Sequence, residues 1–194
     1  MKTKTKVLVL SACMVLIAVV AVLGTMAFLT SEDEVNNTFT VGKVSITLDE
    51  ADVKTDGTYE TTADARVSAN QYHLIPGHSY IKDPTVHVDD SSEDCWLFVK
   101  VVNGIQNIEA EDSTIAEQMA DKGWTLVEGT SDIYAYEKIV SGGEDIAVFD
   151  RFQIAGDADI EDYEEASVTV TAYAIQADGF ADYSAAITAA PFPA

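Results

Sequence analysis

Three histidines are the residues of this chain that most directly suggest chemistry. They are His73, His78 and His87. A zinc protease of the common type carries two histidines and a glutamate as H-E-x-x-H on one helix, and none of the three has that spacing. The nucleophile elbow G-x-S-x-G is also absent, and so is a glycine-rich phosphate loop. The sequence therefore predicts a protein that is not an enzyme, with no catalytic residues and no metal site. Convergence of the three histidines on a metal stays open as an alternative.

Acidic stretches raise the separate question of calcium. Residues 157–165 read DADIEDYEE, and residues 89–94 read DDSSED. A calcium loop of the EF-hand type needs glycine at its sixth position, where the first stretch has Asp162. We expect no cofactor, with weak Ca²⁺ binding possible at these two stretches.

The N-terminus has the layout of a secretory leader. Residues 1–6 carry three lysines, and residues 7–29 are almost entirely apolar. Thr25 and Ala27 provide small residues at the −3 and −1 positions of a cleavage site, so we predict that signal peptidase cuts between Ala27 and Phe28. An uncleaved membrane anchor is the alternative, because the apolar run approaches the length needed to span a bilayer. Cys13 lies too early in the run to be a lipidated cysteine and is interpreted as part of the leader.

Charge excludes one class of partner. The chain has a net charge of −22, and removal of a leader with three lysines and no acid gives −22 − 3 = −25. Such a protein will not bind a nucleic acid backbone through charge.

Only Cys95 remains after cleavage, so the exported chain can form no internal disulfide.

The elements that would position any site are mostly strands. Residues 95–103 are apolar on both faces, with Cys95 and Leu97 on one and Trp96, Phe98 and Val102 on the other, as expected of a central strand covered on both sides. We predict further strands at 85–88, 144–155 and 166–177, a hairpin turning near Gly129, and a helix over residues 112–122 capped by Asp112 or Ser113. A second short helix is expected near the C-terminus. The fold class is all-β, an antiparallel β-sandwich of jelly-roll type with one or two short helices.

The segment after the leader changes phase. Phe39 and Val41 occupy odd positions, whereas Val44, Ile46 and Leu48 are even. An inward face that switches parity needs a bulge or a break, and Gly42 lies at the switch. We therefore divide the chain into a signal peptide (1–27), an N-terminal segment (28–43) and a β-domain (44–194).

Several of these features resemble one family. The join GTMAFLT, followed by acids and by NNTFTVGKVSITL, is similar to exported proteins processed by the SipW-type signal peptidase. The match uses Asn37, Phe39, Gly42 and Leu48, with Val41 where alanine is commoner. YHLIPGHSYIKDPTVHV and TAYAIQADGF also resemble segments of the TasA/camelysin family, which includes secreted matrix proteins with a jelly-roll domain.

The resemblance implies a structural function. Members of the family assemble into fibres of a biofilm matrix, with the N-terminal strand of one subunit completing the sheet of the next. It implies that residues 28–43 are the donor, with Phe28, Phe39 and Val41 as anchors and Gly42 as the point of departure. The implied partners are copies of the same chain, a SipW-type signal peptidase and other matrix components, and the implied location is the extracellular matrix or cell surface. Three alternatives stay open: residues 38–48 as one bulged edge strand of a monomer, a monomeric adhesin or binding module, and a camelysin-like metalloprotease.

Overall fold

Antiparallel β-strands make up most of the regular structure of this chain. The computed structural model describes residues 30–34, 37–38, 44–163 and 165–193. The strands are β1 (Thr30–Glu34), β2 (Asn37–Thr38), β3 (Ile46–Ala51), β4 (Arg66–Val67), β5 (Ser79–Ile81), β6 (Thr85–Val88), β7 (Cys95–Asn103), β8 (Trp124–Leu126), β9 (Ile133–Tyr136), β10 (Asp145–Ala147), β11 (Arg151–Gln153) and β12 (Val168–Gln176). The helices are α1 (Ile115–Asp121) and α2 (Tyr183–Ala189), with one 3₁₀ turn at Glu161–Tyr163. The all-β prediction is confirmed at this level.

The strands form three sheets. A six-stranded sheet has the order β2-β1-β12-β7-β9-β8, a four-stranded sheet has the order β10-β6-β3-β4, and β11 pairs with β5. Every pairing of named strands is antiparallel, and the longest ladder joins β7 to β12 from Asn103–Val168 to Cys95–Gln176.

One core contains side chains from both large sheets. Ile46 and Leu48 of β3 and Val86 of β6 belong to the same buried cluster as Leu97 of β7 and Ala172 of β12. Alternation along each strand supplies these residues, since every second side chain of a strand points to the same face. The six-stranded and four-stranded sheets therefore contribute side chains to the same main apolar core.

The opposite face of β7 is covered by the C-terminal helix. Trp96 and Phe98 join Tyr173 and Ile175 of β12 in a second buried cluster, against which residues of α2 such as Ile187 pack. This confirms the prediction that β7 is covered on both sides. Val102 is the exception: it is 49% exposed, because it lies at the end of the strand outside that cluster.

Two sequence predictions need correction. Residues 144–155, predicted as one strand, contain two strands, β10 and β11, which pair with different partners, β6 and β5. The chain leaves one sheet and enters another near Phe149, which is itself fully buried. Helix α1 begins at Ile115, and its N-cap is Thr114, not Asp112 or Ser113. The Thr114 hydroxyl accepts from the Glu117 amide, and the Glu117 carboxylate accepts from the Thr114 amide, which is a complete capping box.

Candidate functional site

The most distinctive feature of the six-stranded sheet is that, among the residues described, one side of β12 is only partly paired. Strand β7 lies along all of β12, whereas β1 lies only opposite residues 172–175, with Thr30 opposite Ile175 and Asp33 opposite Ala172. The rest of that side, at Val168 and Val170, has no named strand opposite it within the described residues.

The backbone phase of β12 determines which groups point to that open side. The Gly104 amide donates to the Ser167 carbonyl at 2.8 Å, and the Ala177 amide donates to the Asp94 carbonyl at 2.8 Å. Because hydrogen-bonding direction alternates along an antiparallel strand, odd-numbered residues of β12 bond towards β7 and even-numbered ones towards β1. The N–H and C=O groups of Val168 and Val170 therefore point outward, past the end of the β1 pairing. Unpaired strand edges of this kind are templates for another strand.

Two hollows adjoin this edge and share part of their lining. The smaller, of about 330 Å³, is lined by Val168 and Val170 together with Leu48 and Pro84. The larger, of about 760 Å³, is lined by Tyr72, Leu74, Ile105, Phe152, Ile160 and Tyr163. Asn70 and Lys82 border both. We call the two hollows together the edge groove. Its lining is mixed, because polar side chains such as Glu161 and Glu165 stand beside the apolar ones. Outward backbone groups and pockets for side chains are the two features that bind an added strand.

The residues predicted to act in export and strand donation cannot be placed. Ala27, Phe28, Phe39, Val41 and Gly42 all lie outside the described residues. The segments on either side of Gly42 are described in part. Asn37–Thr38 belongs to the six-stranded sheet and Ile46–Ala51 to the four-stranded one. The two segments therefore contribute to different sheets, as the change of parity suggested.

The three histidines have separate environments. The amide of His73 donates to the Thr55 carbonyl at 2.8 Å. The His78 ring lies edge-on to Tyr80, and its Nε2 is 2.9 Å from the Asp56 carbonyl oxygen. Within residues 30–34, 37–38, 44–163 and 165–193, no three histidine, cysteine or acidic side chains are grouped so that they could hold a metal ion.

His87 instead belongs to a charged network on the outer face of the four-stranded sheet. Its Nδ1 lies 2.6 Å from Asp145 of β10, and its Nε2 lies 2.9 Å from Asp49 of β3. Arg66 of β4 donates to Asp49 and to Asp83, each at 2.7 Å. Burial lowers the pKa of His87, but hydrogen bonds and charge attraction from the two aspartates outweigh it, so that the net pKa is raised. The network links all four strands of this sheet through side chains.

The predicted calcium stretches show mainly local interactions. Asp89 accepts from the hydroxyl and the amide of Ser91, which lowers the pKa of Asp89. Asp159 accepts from the Glu161 amide, and with Asp157 it lines a hollow that also contains Glu111. Weak Ca²⁺ binding stays a prediction.

Sequence reasoning missed two parts of this region. The side chains of Val168 and Val170 face the core. Nothing in the alternation of β12 shows that, within the described residues, no strand lies opposite their backbone groups. Glu50, Asn70 and Lys82 come from three separate segments and meet beside the edge groove. The sequence did contain one signal for this meeting. Glu50 occupies the next position on the face of β3 that carries Ile46 and Leu48, so an acid stands where the pattern calls for an apolar residue.

The part of the chain that the structure describes contains no helix long and apolar enough to cross a membrane. Residues 1–29, which carry the predicted leader, lie outside that part. No protein-family model, no curated protein and no solved structure matches this chain.

Proposed function

We propose that this protein is a secreted structural component of an extracellular biofilm matrix, and that it assembles into fibres by adding its N-terminal segment to the sheet of a neighbouring subunit. The observation that supports the proposal most is the pairing of β1 with part of the β12 edge. That pairing indicates that a segment from the N-terminal region fits this edge. In a fibre the same segment would pair with the β12 of the next copy, which is a domain-swapped version of the same ladder.

The affinity of such an addition comes from backbone hydrogen bonds, and its register comes from alternate side chains. Outward groups of β12 would supply the hydrogen bonds, and Phe28, Phe39 and Val41 would be the anchors of the donor segment. Gly42 would let the donor segment leave its own domain. The contact is heterologous and leaves one free donor and one free edge, so repetition gives filaments instead of closed rings.

Export and fold complete the proposal. Cleavage between Ala27 and Phe28 by a SipW-type signal peptidase would release the donor outside the cell, where other matrix components are possible partners.

We further propose that the two large sheets form a sandwich of jelly-roll type. The shared core of β3, β6, β7 and β12 supports this arrangement.

Electron microscopy of two purified chains tests the assembly. One begins at Phe28 and keeps the donor; the other begins at Val44 and lacks it. Both are imaged at neutral and mildly acidic pH. We expect fibres from the first chain and dispersed particles from the second. Dispersed particles from both chains under every condition would remove the proposal.

One observation favours a monomeric binding module as a second candidate. The larger hollow of the edge groove, about 760 Å³, has an aromatic lining that includes Tyr72 and Phe152, as many small-molecule sites do. Saturable binding of a small ligand to chains that stay monomeric would support this candidate instead of the matrix protein.

A further inference from the structure

A buried carboxylate holds an amine and a carboxamide side by side in this protein. Glu50 of β3 accepts a hydrogen bond at Oε1 from the Asn70 side-chain amide, at 2.8 Å. Its other oxygen, Oε2, accepts from the Lys82 ammonium. The side chains of Lys82 and Glu50 are only 11% and 6% exposed. The three residues come from strand β3, from the connection after β4 and from the position directly after β5, so only folding brings them together.

The carboxamide of Asn70 is held firmly in one orientation. Its oxygen accepts from the Val53 amide at 3.0 Å, and its nitrogen donates to the Ala51 carbonyl at 2.8 Å as well as to Glu50. The donor at the oxygen draws electron density away from Cγ of the carboxamide. It also lies where negative charge would develop if a nucleophile added to that carbon.

Contact with one carboxylate raises the effective concentration of the two groups. Tyr72, in the segment between Asn70 and Lys82, is partly buried, and burial raises the pKa of its hydroxyl well above the usual range. Its hydroxyl donates to the Ile81 carbonyl, next to Lys82. Two reactants fixed beside each other in such a site react far faster than the same groups free in solution.

We propose that Lys82 and Asn70 join in an intramolecular isopeptide bond, with Glu50 as the catalytic residue. Glu50 takes a proton from the Lys82 ammonium, and the free amine adds to Cγ of Asn70. The Val53 amide stabilises the oxyanion that forms. Glu50 then delivers the proton to Nδ2 of Asn70, the bond from Cγ to Nδ2 breaks, and nitrogen departs as ammonium with the second proton of the attacking amine. One C–N bond forms and one breaks, so the step needs no oxidant or other reactant.

The bond would explain why the fold buries the ion pair between Lys82 and Glu50. A buried ion pair between lysine and glutamate alone is weak support for a fold, because desolvation offsets much of the attraction. A covalent link between Asn70 and Lys82 would instead close the segment that contains Tyr72 and Tyr80 and forms one wall of the edge groove. It would fix that wall whether or not the protein assembles, so this proposal does not depend on the proposed function.

Peptide mapping of the purified full chain provides the test. Trypsin cuts after Arg66, Lys82 and Lys100, which releases peptides 67–82 and 83–100 from an unlinked chain. A lysine whose amine is acylated is not cut. The proposal predicts a single peptide 67–100, lighter than its sequence mass by about 17 Da, the mass of ammonia. It also predicts no fragment ions from backbone breaks between Asn70 and Lys82.

Three variants isolate the chemistry. Lys82→Arg keeps the positive charge but offers no amine, and Glu50→Gln keeps the size but cannot accept the proton. Both should lose the cross-link, so that residues 67–100 recover their full sequence mass. Lys54→Arg is the matched control, because Lys54 is exposed, and it should keep the linked peptide.

Two results would overturn the proposal. The first is recovery of peptides 67–82 and 83–100 from the wild-type chain at their sequence masses. The second is a loss of about 17 Da in peptide 67–82 with cleavage at Lys82 intact, because that pattern means cyclisation of Asn70 onto its own backbone. The wild-type digest decides the question even if a variant fails to fold.

Discussion

Thr114 shows how a single side chain sets the start of a helix. Asp112, Ser113 and Thr114 are all acceptable N-caps, so the sequence could not choose among them. A contact outside the helix determines which of them is the cap. Oε1 of the buried Glu109 accepts from the Ile115 amide at 3.0 Å, and this bond fixes Ile115 as the first helical residue. The cap must then be the residue before it.

Replacing the cap residue Thr114 should destabilise the protein, and replacing its neighbour Ser113 should not. Thr114→Ala should lower the free energy of unfolding by about 1 kcal/mol, because the Glu117 amide loses its acceptor. Ser113→Ala is the matched control and should change it by less than about 0.5 kcal/mol. Urea unfolding followed by tryptophan fluorescence measures both. Equal losses in the two variants would show that Thr114 is not the cap.

Cys95 should be unreactive while the protein is folded. It is fully buried, and burial, followed by the nearby charges of Asp94 and Glu144, raises the pKa of its thiol to about 12. The thiolate is the form that reacts, so alkylation of the chain that begins at Phe28 should be negligible at pH 8 without denaturant. Complete labelling is expected in urea. Rapid labelling of the native protein, measured by mass, would contradict this burial.

At the scale of elements, the sequence predicted some strands well and others poorly. Strands β7 and β12 are long, and the continuous apolar run of β7 and the alternation of β12 were sufficient to assign both. The break between β10 and β11 was missed because Val148 and Phe149 continue the apolar pattern while the chain passes between sheets. Pairing is a tertiary property. Neither the partial cover of β12 nor the meeting of Glu50, Asn70 and Lys82 can be read from local periodicity.

The four-stranded sheet should be more stable in mild acid because of His87. The folded-state pKa of His87 is raised by Asp49 and Asp145, so its contribution is complete below the unfolded value of about 6.5. This stabilisation by His87 disappears as the pH rises through the pKa that His87 has in the folded protein. His87→Asn should therefore cost more at pH 5 than at pH 8.5, by up to about 1 kcal/mol for a partly exposed ion pair.

Thermal or urea unfolding at the two pH values measures this difference. His73→Asn is the control, because within the described residues the side chain of His73 forms no ion pair. A His87 variant whose loss of stability is the same at both pH values would show that the ring is not charged in the folded state.

At the scale of the whole molecule, charge opposes assembly. Each exported subunit would carry −25, by the same subtraction of three lysines from −22. Neighbouring subunits therefore repel, and the repulsion extends about 10 Å at an ionic strength of 0.1 M. Salt, acid and Ca²⁺ should each accelerate fibre growth, since each lowers the effective charge. Light scattering over time measures the rate. Growth that is indifferent to ionic strength and pH would count against electrostatic control.

Strand donation between subunits is the central claim, and complementation of two incomplete chains tests it most directly. One chain begins at Val44 and lacks the donor. The other begins at Phe28 and carries Val168→Lys, which places a charge in the edge groove beside the open edge of β12. Val102→Lys is its matched control, because Val102 lies in the same sheet, is already half-exposed and is not on that edge.

Sedimentation of the equimolar mixture is the measurement. The account predicts that neither incomplete chain forms fibres alone, that the mixture forms a one-to-one complex, and that the Val102→Lys chain still forms fibres. A mixture that stays monomeric while the unaltered chain from Phe28 assembles would show that the fibre is not built by adding the N-terminal segment to β12.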